Sequence, residues 1–295
     1  MTPAIDALID EAERQPFTGW DFSWIEGRIT ADPLPWDYTA AVVEAARDSP
    51  DLLDLGTGGG EWLAALPFRP PRTVATEAWL PNVAIAKARL EPLGIEVIQV
   101  PPARDNTGKP IEGESSSLPF ADGSFHLAVD RHEAFDVVSV ARILAPGGQF
   151  ITQQVDVGND NEYRALFGIG ARAPNEEERW EAWLPGQLES VGLRVVEQAS
   201  APFVQHVRDV GALVYGLKAI PWMVPGFTVD KYRRRLHELQ SRIDRDGPIT
   251  VRQRRYFVRA QKPESNGKGG TSSKSRASTS VTREWFSGPC DVRAS

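Results

Sequence analysis

The sequence predicts an α/β fold built on a doubly wound, mostly parallel sheet. Three observations carry that expectation. Asp51 to Leu55 is an apolar strand that breaks into the turn Gly56-Thr57-Gly58-Gly59-Gly60 and restarts as a helix. Arg72 to Glu77 is a second short strand ending in an acid, 23 positions after Asp54. From 51 to 155, strands alternate with helix-length segments, as parallel strands joined by helical crossovers require.

In chain order, residues 3–14 place Ile5, Leu8, Ile9 and Ala12 on one helical face. Residues 17–37 hold Trp20, Trp24 and Trp36 at irregular spacing among Phe and Pro, which reads as an ordered lid. A helix over 38–47 leads into strand one at 51–55. Strand two is 72–77, followed by a helix over 81–91 and strand three at 95–100. Strand four is 125–130, a helix runs over about 133–144, and Ala145-Pro146-Gly147-Gly148 turns into strand five at 149–155. Helices follow at 159–167 and 175–190, then strand six at 193–198. Pro221 to Pro225 interrupts a helical stretch from about 207 to 240, and the last strand is 249–260. Residues 263–283 are mainly Ser, Gly, Thr and Lys without an apolar face, so a disordered tail is expected. The division is 1–37 as helix and lid, 38–262 as the main domain and 263–295 as the tail.

With 41% hydrophobic and 25% charged residues, the 295-residue chain can bury one large core. A net charge of -7 gives no general attraction to nucleic acid or acidic membranes. One cysteine, Cys290, excludes an intrachain disulfide, and four scattered histidines lack the spacing of a zinc site, so no metal is expected. Without a secretory apolar segment or a membrane-length run, a cytoplasmic enzyme with no membrane partner is the expectation.

Gly56, Gly58 and Gly60 clear side chains from a backbone that must bend sharply and approach a ligand, although a plain βα turn would use glycine too. A carboxylate at Glu77 can accept from two vicinal ribose hydroxyls, or cap the helix near Pro81. Together these features point to a nucleoside cofactor. Before strand four, the run from Gly113 to Phe125 offers Glu114 and Ser115 to an adenine edge, with Leu118 and Phe120 as an apolar wall.

At these residues the chain resembles the class I S-adenosylmethionine (SAM)-dependent methyltransferases. The matching pieces are Asp54 to Gly60, Glu77, Leu118-Pro119-Phe120 with Asp122 to Phe125, and Arg142 to Gly148. The likeness covers about 38–155 well and 190–262 in outline. It implies a Rossmann-like, seven-stranded sheet whose last strand is antiparallel, with SAM as cofactor. It also implies that Gly56 and Gly58 abut the methionine portion and Glu77 takes the ribose. The SAM-binding set is then Asp54, Gly56, Thr57, Gly58, Gly60, Glu77, Glu114, Ser115 and Asp130. Two departures stand out: Glu114 where the family more often has Asp, and His126 where it usually has Asp. His126 is expected at the start of strand four, away from the ligand.

Ligands in such sheets bind beyond the C-terminal strand ends, which nominates Asp130 to Glu133 and Gln154 to Asn159. His132 is the candidate general base, because an imidazole titrates near pH 6.5; capping the next helix is its structural alternative. Asp130 and Arg131 are expected to pair, and only one of Gln153 and Gln154 can face the crevice. The acceptor wall is expected from 17–38, Trp180, Trp183, Phe203, His206, Trp222, Met223 and Phe227, which suits a small, partly apolar molecule. The alternatives are an RNA methyltransferase using Lys231, Arg233 to Arg235, Arg252, Arg254, Arg255 and Arg259, a non-catalytic module of the same fold, and a NAD enzyme.

Overall fold

The computed structural model describes residues 5–103, 117–172 and 180–264. The expected tail from 265 onward, the adenine-contact candidates Glu114 and Ser115, and the start of the 175–190 helix lie outside the described residues. Eight strands form one sheet in the order β1-β7-β8-β6-β5-β2-β3-β4. They are β1 (Ile29–Ala31), β2 (Asp51–Leu55), β3 (Arg72–Glu77), β4 (Glu96–Gln99), β5 (Phe125–Arg131), β6 (Leu144–Val155), β7 (Arg194–Val207) and β8 (Ile249–Gln261). The ladders joining β6, β5, β2, β3 and β4 are parallel, and β8 runs antiparallel to both β6 and β7.

The expected α/β class, doubly wound order and antiparallel last strand are all present. The strand count differs by one, for a specific reason. The strand expected at 193–198 continues to Val207, so its outer edge carries unpaired backbone groups. The segment read as lid supplies β1 to that edge, pairing Ile29 with Val207 and Ala31 with Gln205.

One sheet face packs on α2 (Tyr38–Arg47), α3 (Glu61–Ala65) and α4 (Leu80–Leu90), burying Leu52, Leu127, Ile151 and Phe257. The other packs on α5 (Val137–Ile143) and α7 (Trp180–Ser190), burying Leu53, Phe150 and Val258. A third cluster joins α1 (Ile5–Arg14), α6 (Asp160–Leu166), α8 (Val210–Ala219) and α9 (Val229–Asp246) to the ends of β7 and β8. His126 stands at the N-terminal end of β5, where its N–H and ring meet Asp51, so it lies away from the crevice as expected. Among the described residues no helix is long and apolar enough to cross a membrane.

The N-terminal segment is anchored by polar contacts that the sequence does not advertise. Arg28 makes a two-pronged contact with Asp209 at 2.9 and 2.6 Å, and its guanidinium covers the Trp24 ring. Asp209 also caps α8 by accepting from Ala212 N–H. Asp209→Ala removes both roles, with an expected loss of about 3 kcal/mol; Asp209→Asn keeps the cap and is expected to lose about half as much. Urea unfolding midpoints of the two variants check this.

Candidate cofactor and acceptor site

The turn after β2 has three residues with positive φ, Gly56 (65°), Gly58 (63°) and Gly60 (79°), a conformation that L side chains rarely adopt. It is fixed against the tip of β3. Thr57 N–H donates to Thr76 O at 2.9 Å, and Gly58 N–H to Glu77 Oε2 at 2.7 Å. The other Glu77 oxygen accepts from Trp79 N–H at 2.8 Å, just before α4. Glu77 therefore braces the glycine turn, and by taking an N–H at the start of α4 it fills the capping role read from the sequence. Burial raises its carboxyl above the ordinary value.

The helix after the turn, α3, is five residues long. Its first residue, Glu61, folds back so that its carboxylate crowds Gly59 and Gly19 and bonds Arg89. A carboxylate at the start of this short helix, paired with Arg89, stands where the helix N-terminus would otherwise favour an anionic pyrophosphate. This arrangement opposes the NAD alternative.

Further carboxyls converge on the same turn. Asp54 is 3% exposed, and burial pushes its carboxyl up to about 7. Asp130 is fully buried; its Oδ1 accepts from the Thr152 hydroxyl and the Gln154 amide, while Oδ2 finds no partner among the described residues. Burial, then the Glu133 and Asp54 charges, hold Asp130 well above the ordinary carboxylate range. Glu133 lays its side chain on Gly56, since a Cβ added there would sit 2.2 Å from Glu133 Cγ. A ligand touching the Gly56 backbone requires Glu133 to turn away, a rotamer change open to a side chain on the exposed rim. Asp130 and Arg131 do not pair. They alternate across the strand, and Arg131 covers the Trp62 ring at 5.2 Å on the other face.

Between the C-terminal ends of β2, β3, β4 and β5 lies a slot lined by Gly56, Thr76, Ala78, Val100, Leu118 and Phe135. Leu118 supplies the expected wall. Phe120 does not: Arg142 holds Phe120 O and Leu118 O, and the Phe120 ring packs on Phe125 at the opposite end of β5.

His132 follows β5 with φ 68°, the one non-glycine positive φ among the described residues. Its Nε2 lies 3.0 Å from Gln153 Nε2, and Gln153 Oε1 accepts from Trp36 Nε1 at 2.8 Å. An indole N–H can only donate, which orients the Gln153 amide with its NH₂ toward His132. His132 Nε2 must then accept, so the ring is neutral and carries its proton on Nδ1. Burial, reinforced by Arg255 and Arg131, holds its pKa well below 6.5. Gln153 and Gln154 do part to opposite faces, one toward His132 and the other toward Asp130.

The segment over 17–25 packs above the glycine turn. A Cβ on Gly58 would meet Trp20 Cβ at 3.0 Å, and the Trp20 ring stacks on Trp222. Of the expected acceptor wall, Phe203 faces the crevice side, whereas Trp183 packs into the core of the opposite face and His206 pairs with Asp32. Met223 and Phe227 pack against the helical cluster, and the Trp180 side chain lies outside the described residues. Trp36, Gln153 and Arg255 belong to the crevice; Trp36 lay in the expected wall, Gln153 was one of the two glutamines weighed for the crevice, and Arg255 was read only among the basic residues of the RNA alternative. The signal for Arg255 was its i, i+2 spacing from Phe257, which pairs with Gln153 and so puts Arg255 on the same face.

No family model matches the chain, and no curated protein does. Among solved structures it is similar to a Bacillus halodurans C-125 protein assigned provisionally as a methyltransferase, at 20% identity and a TM-score of 0.48, covering 76% of this chain and 98% of that one. It is also similar to the YcgJ protein of Bacillus subtilis, at 18% identity and a TM-score of 0.47, covering 77% and 98%. Geranyl diphosphate methyltransferase in complex with GPP and sinefungin follows at 14% identity and 0.41, covering 76% and 77%. These are likenesses of fold, and the function rests on this chain's own residues.

Proposed function

We propose that the chain transfers a methyl group from SAM to a small, partly apolar acceptor. The observation that carries this reading is the ring of carboxyls, Asp54, Glu77, Asp130 and Glu133, around a glycine turn whose helix start is already filled by Glu61. Carboxyls held above their ordinary pKa by burial ionise readily beside a cation, so such a site favours a nucleoside that carries positive charge over one that carries a pyrophosphate. SAM has both a sulfonium and an ammonium. Gly56, Gly58 and Gly60 allow close approach to the backbone, with Thr57 holding the turn against β3. Glu77 keeps lone pairs for ribose hydroxyls, and Asp54 and the unpaired Oδ2 of Asp130 suit the ammonium. Glu114 and Ser115 stay in the proposal as adenine contacts, and a cytoplasmic location stays with it.

Bound there, SAM supplies a methyl group already activated for displacement, so the protein's main task is alignment. Exclusion of water falls to the aromatic segment over 17–25. The basic groups that favoured RNA are largely spent: Arg233 pairs with Asp6, Arg235 with Glu238, Arg252 with Glu162 and Arg259 with Glu197.

Calorimetric titration with SAM and NAD tests the assignment. Saturable SAM binding without NAD binding is expected, and the reverse sinks the proposal. His132 is the candidate base for a hydroxyl acceptor; to take a proton, it must exchange the Gln153 amide for the acceptor hydroxyl at Nε2. His132→Ala is then expected to lower turnover about 100-fold with SAM affinity unchanged. With an amine or carbon acceptor the loss is expected to be small. Because burial lowers the imidazole pKa, turnover should be level above pH 6.5 rather than titrating between about 6 and 7.5.

A further inference from the structure

Among the described residues, Arg255 is a crevice cation with no carboxylate within ion-pair distance. Its neighbours along β8 are spent on the surface or at the sheet edge: Arg252 on Glu162, Arg254 on the Ser200 hydroxyl, Arg259 on Glu197. Arg255 points away from the face of Arg252 and Arg254, and unlike Arg259 on its own face it has no carboxylate partner among the described residues. It stands opposite Val155 on β6 and Ala201 on β7, on the sheet face that also carries Gln153 and Phe257. Its guanidinium covers the Phe203 ring, 4.8 Å from the centroid. Nη1 donates to Arg254 O at 3.1 Å and reaches Gln253 Oε1 at 3.4 Å. The Nε–Nη2 edge takes no acceptor among the described residues, and no carboxylate there lies within ion-pair distance. Burial lowers its pKa to about 10, so it stays charged at neutral pH, with the Tyr163 phenol favouring its charged form. A desolvated cation without a counter-ion is costly, and one facing a crevice is a binding element until shown otherwise.

We propose that Arg255 anchors the acceptor through a carboxylate, gripped by the free Nε–Nη2 edge while Phe203 and Trp36 flank the acceptor's apolar body. Two parallel N–H groups match the two oxygens of a carboxylate. A single arginine suits one negative charge. The spacing is also suitable: β8 lies two strands from β5, about 10 Å at the usual interstrand distance, so a ring with a short arm spans from the anchor to the C-terminal end of β5, on the face that Arg131 and Gln153 share with Arg255. His132 and Gln153 lie between the two points. As an assignment of substrate class, this rests on the methyltransferase reading; the anion site itself does not.

The test uses the full chain with phenylacetate, its neutral isostere phenylacetamide and inorganic phosphate as probes, each titrated calorimetrically, with SAM titrated in parallel. Phenylacetate is expected to bind at least about 10-fold more tightly than the amide. Arg255→Gln is expected to reduce the acid to the level of the amide while SAM affinity stays within about 2-fold, and Arg255→Lys should recover only part of the loss. The acid-to-amide ratio in the unaltered protein does not depend on whether a variant folds. Equal binding of acid and amide, no saturable binding of either, or an unaffected Arg255→Gln overturns the anchor; preference for phosphate overturns the carboxylate. Arg255-dependent phenylacetate binding in a protein that ignores SAM would leave the anchor standing and remove the methyltransferase reading.

Discussion

Gly58→Val is expected to abolish SAM binding, lowering affinity by at least about 100-fold in a calorimetric titration. Three effects act together. Gly58 has φ 63°, where a β-branched residue is strained by about 1–3 kcal/mol. The new Cβ would meet Trp20 Cβ at 3.0 Å before any γ-methyl is placed, pushing on the segment that covers the turn. The Gly58 N–H that reaches Glu77 Oε2 would shift with the backbone, releasing the carboxylate expected to hold the ribose. A lower melting temperature should accompany the loss. Trp20→Ala combined with Gly58→Val should recover some stability and little affinity, since the backbone strain and the Glu77 link are untouched.

Asp54→Asn is expected to move stability and binding in opposite directions. The folded-state pKa near 7 lies above the ordinary carboxylate value near 3.8, so the folded protein holds the proton more tightly than the unfolded chain. Asp54's contribution to stability is therefore full below about pH 4 and falls as pH rises toward 7, by up to about 4 kcal/mol in all. Asparagine stays neutral throughout. The variant should be more stable than the parent at pH 8 and little different at pH 4, as read from urea unfolding at both values. SAM binding should weaken about 10-fold at pH 8, where the parent offers an ionised carboxylate to a cation. In the parent, SAM affinity should rise between pH 5 and 8 as Asp54 ionises. Equal affinity of the two proteins at pH 8 would remove Asp54 from the site.

Much of the fold was legible because the apolar pattern and the glycine turn are local signals. The 51–155 segment needed only strand and helix periods, and the Pro221–Pro225 break correctly divided α8 from α9. The eighth strand was not legible: three residues in an aromatic segment become a strand only because β7 overruns and exposes an edge. Glu77 could be placed at the tip of β3, beside the glycine turn, because its distance from Asp54 follows from the fold. Phe120 misled, since a chain passing from the crevice to the base of β5 turns its aromatic away within two residues. Arg255 was indistinguishable from its neighbours while the strand's two faces were read together. Partnership, which separates it from Arg252 and Arg259, depends on Glu162 and Glu197, distant in sequence.

The contact between Trp36 and Gln153 has a consequence for chemistry at His132. A side-chain amide can be turned over with almost no change of shape, and turning this one would present an oxygen rather than an NH₂ to the imidazole. What prevents it is an indole 117 positions away in sequence, carried just ahead of α2. The tautomer of the histidine is thus information written in the N-terminal segment and transmitted through one glutamine. Whatever loosens residues 32–37 frees the amide to invert and exchanges a proton-accepting imidazole nitrogen for a proton-bearing one. Docking of a surface segment and readiness of a buried base are, in this protein, the same event.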